Sequence, residues 1–130
     1  MIFLLDTNAA NSLSRETPSF MERRLGFSPR DFGISAIVAF EMFYGAYRGT
    51  RTQANLREMD RLQLEIVPFD ESDAQAAGKI RAAPQKLGTP IGPYDILIAG
   101  QALARDLTLI SRNIREFSRV DGLRVENWEE

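Results

Sequence analysis

Histidine and cysteine are both absent from this 130-residue chain, and the two absences remove most familiar catalytic chemistry. Without imidazole there is no Ser-His-Asp or Cys-His nucleophile system, and without either residue there is no zinc site of the usual kind. With no cysteine there is no disulfide framework, which fits a reducing compartment. No apolar run approaches the roughly 18 residues of a membrane span. Met1 leads straight into a short apolar strand with no basic segment or cleavage site. The expectation is therefore a cytoplasmic protein with no signal peptide and no membrane association. Any hydrolytic chemistry has to run on carboxylates, on a metal, or on both.

Lysine is nearly missing too. Only Lys79 and Lys86 occur, and every other basic side chain is arginine. A net charge of -2 does not mark a nucleic-acid binder, but arginine grips phosphate bidentately and stacks on bases. Arginines recur locally at Arg23, Arg24 and Arg30, at Arg48, Arg51, Arg57 and Arg61, and at Arg112, Arg115 and Arg119. For any one of them, a solvated helix face or a surface ion pair is the simpler reading.

At 44% hydrophobic content, the chain can build one sizeable core, and residues 1–130 read as a single domain. Residues 2 to 5 are apolar and end in Asp6, as a buried parallel strand would. A helix follows from about Thr7, and Thr17-Pro18 starts a second. Phe32-Gly33-Ile34 reads as a strand. Ser35 then caps a helix that runs to about Arg48 and is ended by Gly49. Gln53 to Leu62 is helical in period, and Glu65 to Phe69 is a strand whose proline places it at an end or an edge. Asp70 to Asp73 caps a helix through about Leu87, in which Pro84 predicts a kink or an early end. Gly88 to Pro93 is a stiff loop delivering Tyr94 and Asp95 to the next helix. Leu107 to Ile110 and Leu123 to Val125 complete the strands. The alternation gives an α/β fold with a mainly parallel central sheet flanked by helices. In such sheets ligands bind outside the carboxyl ends of the strands, where Asp6 and Ser111-Arg112-Asn113 fall.

Three acids interrupt stretches that otherwise read as core: Asp6, Glu41 and Asp95. A carboxylate in such a place neutralises, finds a cation or binds a metal, because desolvating a lone charge is expensive. Taken singly, Asp6 and Asp95 could be helix-start acids. Glu41 is harder to explain that way, since Ile37, Val38, Tyr44 and Gly45 offer it no basic partner on its own helix. Asn113 could merely cap the turn from Ile114 to Phe117, and Glu116 could simply be exposed. If the three acids converge, they form an oxygen-only site for a hard divalent cation, Mg2+ or Mn2+. Such an ion relieves their mutual repulsion, and metal-assisted phosphodiester hydrolysis becomes the functional hypothesis.

The stretch Phe3-Leu4-Leu5-Asp6-Thr7-Asn8 resembles the first motif of PIN-domain ribonucleases, and more closely that of the VapC toxins of bacterial toxin–antitoxin modules. The segments from Ser35 to Ala46 and from Gly88 to Ala99 resemble the second and third motifs. The segment from Ser111 to Phe117, followed by Val120, Gly122 to Glu126, Asn127 and Trp128, resembles the closing one. The match runs in order from residue 1 to Trp128. It implies a PIN-like domain and a Mg2+- or Mn2+-dependent endoribonuclease that stops translation by cleaving structured RNA, often transfer RNA. It also implies a VapB-like antitoxin that occludes the site, and toxin homodimers within a larger toxin–antitoxin hetero-oligomer. Asp6, Glu41 and Asp95 match the three active-site acids. Asn113 stands where some members carry aspartate, and Glu116 where related toxins carry glutamate. Thr7 matches the residue beside the first acid, where its hydroxyl could hold a water or a neighbouring carboxylate. Ser111 replaces a commoner threonine, and Pro84 falls where relatives continue a helix.

Three rivals compete. A phosphatase of the haloacid dehalogenase type needs a second acid two residues after the first, where this chain has Asn8. A Rossmann nucleotide-binding domain needs a glycine-rich turn after strand one, which is missing. A catalytically silent PIN relative that only binds RNA or a partner would keep the fold without the chemistry.

Overall fold

The computed structural model describes residues 1–83 and 91–130. Five strands, β1 (Phe3–Leu5), β2 (Phe32–Ser35), β3 (Glu65–Val67), β4 (Thr108–Ile110) and β5 (Val125–Glu126), form one sheet in the order β3-β2-β1-β4-β5. Every neighbouring pair is parallel, so the expected α/β architecture is the one that forms. The helices among the described residues are α1 (Thr7–Ser14), α2 (Pro18–Arg24), α3 (Ala36–Arg48), α4 (Thr52–Leu62), α5 (Glu71–Ala82), α6 (Pro93–Ala104) and α7 (Ile114–Phe117). None of them is long and apolar enough to cross a membrane.

The central strand is β1, and Leu4 and Leu5 have no solvent exposure, as the unbroken apolar run requires of a strand covered on both faces. Its register pairs Leu5 with Ile34 on one side and Ile110 on the other. Asp6, Ser35 and Ser111 therefore leave the sheet abreast, at its carboxyl edge. The chain steps from β1 to β2 and β3 in one direction, then returns across β1 to lay down β4 and β5. That reversal between β1 and β4 is the switch point at which parallel sheets open a crevice.

Three element ends differ from the sequence expectation. Strand β3 stops at Val67, because Pro68 has no N–H for the ladder; the Pro68 carbonyl instead accepts from Gln101 and Arg105 side chains. It is an edge strand, as its proline implied. Helix α5 ends at Ala82, well before Leu87, with Ala83 already extended at φ -68°, ψ 146°. The residue before a proline is pushed out of the helical region, so Ala83 is extended and the early end, one of the two outcomes expected of Pro84, is what the described residues show. Pro84 itself, the rest of the expected helix to Leu87, and the Gly88–Pro90 part of the expected stiff loop lie outside the described residues. The last strand forms at Val125–Glu126, with Gly122 at φ 82° turning the chain beforehand.

Trp128, 2% exposed, anchors the C-terminal tail in a cluster of aromatic rings. Its centroid lies 4.9 Å from Phe3, 5.4 Å from Phe20, 5.8 Å from Phe27 and 5.6 Å from Phe32.

Candidate active site

Asp6 is the residue immediately after β1 and the N-cap of α1, its carboxylate accepting from the Ala9 N–H at 2.8 Å. The sequence left cap and site acid as alternatives, and the geometry lets one side chain serve both. The Ser111 hydroxyl, at the matching position after β4, donates to the same carboxylate. Ser111 is in turn fixed by accepting from the Asn113 N–H at 2.9 Å. Asp6 is 6% exposed. Burial pushes its pKa up, and the nearby charge of Glu129 adds to this, while the bonds from Ser111 and Ala9 and the Arg112 cation oppose the rise.

Glu41 reaches the same edge from α3. Ser35 caps that helix by accepting from the Ile37 N–H at 3.0 Å, and Glu41 follows about one and a half turns later. The half-buried carboxylate accepts from the Thr7 hydroxyl at 3.1 Å, which ties α3 to the start of α1. A cavity of about 390 Å3 with a mixed lining opens beside it, bordered by Thr7, Asn11, Ser14, Asn55 and Glu58 and by Met42 and Met59.

Asp95 lies in the first turn of α6, which begins at Gly92-Pro93. A helix N-terminus ordinarily favours an ionised acid, yet Asp95 is pushed up to about 7. Burial is the largest cause, followed by a hydrogen bond with Glu116 and repulsion from Glu116, Asp6 and Glu41. Two carboxyl groups can share a hydrogen bond only with a proton between them. Both crowd Gly92: a Cβ built there would stand 3.5 Å from Asp95 Oδ2 and 3.8 Å from Glu116 Oε1. The Gly92 N–H donates to Glu116 Oε1 at 2.9 Å.

The structure thus gathers Asp6, Glu41, Asp95 and Glu116 from four separate elements. Asn113 is beside them but exposed, with no carboxylate to offer. It occupies the N-cap position of α7 without a side-chain cap bond, contrary to the simple capping alternative; its amide donates to Glu116 Oε2 instead. Glu129 also stands at this edge, although no sequence pattern singled it out. One of its oxygens accepts from the buried Ser12 hydroxyl, and the other is buried without a hydrogen-bond partner among the described residues. Asn127, Glu129 and Glu130 of the tail join Asn8, Arg112 and Asn113 around an open cleft of about 600 Å3. The tail's anchoring by Trp128, by the Ser12 hydroxyl and by Arg23, whose guanidinium donates to the Asn127 carbonyl at 2.8 Å, brings these residues here. A tail that is polar in sequence shows none of this.

Among the described residues, no three acids already enclose a point at ligand distance. The donor set nevertheless fits a hard divalent cation held in an open manner. It is oxygen throughout, and it carries mutual repulsion, felt most at Asp95, that a cation would relieve. Mg2+ in particular is commonly held by one or two carboxylates, with waters and substrate phosphate completing its shell.

A family model described as PIN domain matches residues 3–123. The tRNA(fMet)-specific endonuclease VapC of Salmonella typhimurium is 36% identical over 128 residues, covering 97% of each chain. Ribonuclease VapC2 of Rickettsia felis is 32% identical over 133 residues, covering 99% of each. A chain of DNA-bound VapBC from Salmonella typhimurium superposes with a TM-score of 0.88 at 35% identity, covering 98% of both chains. With the parallel sheet, the order of its strands and the acids at its carboxyl edge, these likenesses establish that the chain belongs to the PIN-domain family, in its VapC branch.

Proposed function

We propose that the protein is the toxin of a toxin–antitoxin pair, a Mg2+- or Mn2+-dependent endoribonuclease that hydrolyses phosphodiester bonds at the carboxyl edge of its sheet. The observation that carries the reading is the convergence of Asp95 with three other carboxylates from separate elements, which together with burial pushes its pKa up to about 7. Clusters of like charge are costly to maintain, and groups perturbed in this way mark functional sites more often than structural ones. The names of the relatives, one of them specific for tRNA(fMet), make RNA the substrate and transfer RNA the first candidate.

Asp6, Glu41 and Asp95 would hold the cation, with Glu116 completing the acid group. When bound, the ion supplies Lewis-acid polarisation of a phosphoryl oxygen and a more acidic water. The protein's own groups do the positioning. Ser111 and the Ala9 N–H fix the Asp6 carboxylate, Thr7 fixes Glu41, and Gly92 and Asn113 fix Glu116. Asp95, beside Glu116, can take up or release a proton close to neutral pH. Arg112 and Arg115, both exposed beyond β4, are placed to meet backbone phosphates. The proposed partners are a VapB-like antitoxin and a second toxin copy in a hetero-oligomer, since the similar solved folds come from VapBC complexes. The compartment is the cytoplasm, where transfer RNA resides.

The test is incubation of total RNA with the purified, antitoxin-free protein in Mg2+, in Mn2+ and in EDTA. Discrete products that require the metal are expected. A folded protein that leaves every RNA intact in both metals would put the chain among silent PIN relatives.

A further inference from the structure

At the lip of the acid site the chain exposes two aromatic rings that the core does not need. Phe40 is 53% exposed and Tyr94 is 48% exposed, and their rings meet edge to face with centroids 5.8 Å apart. Each is the residue immediately before a site acid, Phe40 before Glu41 on α3 and Tyr94 before Asp95 on α6. Successive side chains on a helix diverge by about 100°, but the two rings meet where α3 faces α6, the seam across which Glu41 and Asp95 also interact. The seam between α3 and α6 is therefore crossed twice, once by acids whose charges are felt across it and once by aromatic rings. Farther along α3, Tyr44 is 58% exposed with the Arg48 guanidinium 5.4 Å from its ring centroid, so a cation accompanies the aromatic face.

Aromatic rings beside arginine are the combination by which proteins hold unpaired nucleotides, because every base offers a π-face and every phosphate a charge. A-form duplex buries its base faces in the stack, so only an unpaired base can use such a step. We propose that Phe40 and Tyr94 form a stacking step for one unpaired base of the substrate, which fixes the neighbouring phosphodiester over the acids and selects single-stranded loops over duplex. The step rests on the ribonuclease reading and specifies how that site chooses its substrate.

The experiment uses the full chain carrying Asp6→Asn, to suppress cleavage, in Mg2+. Fluorescence anisotropy measures binding of a mixed-sequence single-stranded RNA of about ten nucleotides and of a duplex of equal length. Phe40→Leu and Tyr94→Leu keep apolar bulk but remove the ring, and both are expected to weaken single-strand binding by roughly tenfold. The dependence on salt should be unchanged, because no phosphate contact is lost. Tyr94→Phe should bind like the parent. Leucine variants that bind the single strand as the parent does would overturn the proposal, and so would a Tyr94→Phe loss equal to that of Tyr94→Leu. Leucine variants that lose mass in light scattering while keeping RNA affinity would assign the rings to contact between two copies, which also overturns it. Cleavage of RNA by the unsubstituted chain, assayed in parallel, separates the two claims. If it persists while the leucine variants bind normally, only the stacking step fails; if it is absent, the ribonuclease reading fails first.

Discussion

With no metal bound, the folded chain keeps a proton on Asp95 up to about pH 7, where burial and the surrounding acids hold its pKa. The unfolded chain releases the same proton near pH 3.9. Between those values the folded state binds more protons than the unfolded one, so stability falls as pH rises through the window. In EDTA, the melting temperature is therefore expected to decline from about pH 4 to pH 7 more steeply for the wild type than for Asp95→Asn. Added Mg2+ should stabilise the wild type more at pH 7 than at pH 5, since the ion takes the place of the proton. Parallel pH curves for the two proteins would contradict the assignment. At this scale the acids were legible because each breaks an apolar run. Glu129 was not, since an acid in a polar tail carries no such contrast. The bond from Gly92 to Glu116 was equally hidden, because it depends on how α7 approaches the start of α6.

Helices α5 and α6 pack so closely that a Cβ at Gly100 would stand 2.6 Å from the Ala77 nitrogen, inside contact distance. The pair is also pinned electrostatically. Asp73 is fully buried, and burial opposes its ionisation. Bonds from Arg105, from the Asp70 N–H and from Gln101 outweigh that effect and hold its pKa below the usual carboxylate range. The Arg105 guanidinium reaches Asp73 Oδ1 and Oδ2, each at 3.1 Å, and the Pro68 carbonyl at 3.0 Å. Arg105→Ala leaves a buried carboxylate without its cation, so a loss of about 3 kcal/mol in urea unfolding is expected. Asp73→Asn in the same chain should recover part of it. A loss under about 0.5 kcal/mol would class Arg105 with ordinary surface pairs. From sequence, Asp73 read only as a first-turn acid complementing the dipole of α5. Its capping box with Asp70 fits that reading, but the long-range brace to α6 leaves no local pattern. Helix limits were legible wherever a single residue dictates them, as Ser35 does for α3 and Pro18 for α2.

Across the whole molecule, topology is what turns scattered acids into a site. The central strand ends in Asp6, the chain runs outward through β2 and β3, and the return to β4 brings Ser111 level with Asp6. Helices α3 and α6 then carry Glu41 and Asp95 to the same edge from opposite directions along the chain. Alternating apolar strands and helices made the parallel sheet legible, and the rule that ligands gather at strand carboxyl ends made its edge the place to look. The aromatic cluster around Trp128 was not legible, because phenylalanines so far apart in sequence show no common period. That cluster fixes the tail, and the tail closes one side of the cleft.

The most direct measurement compares RNA cleavage in Mg2+ by the wild type and by Asp6→Asn. Asparagine caps a helix about as well as aspartate, so folding stability should change by no more than about 0.5 kcal/mol. The substitution removes only the charge that would hold the cation. Cleavage lowered at least about hundredfold, with the melting temperature preserved, is the expected result. Cleavage by Asp6→Asn at the wild-type rate would show that Asp6 is a helix cap and nothing more, and that the chemistry does not reside in this cluster.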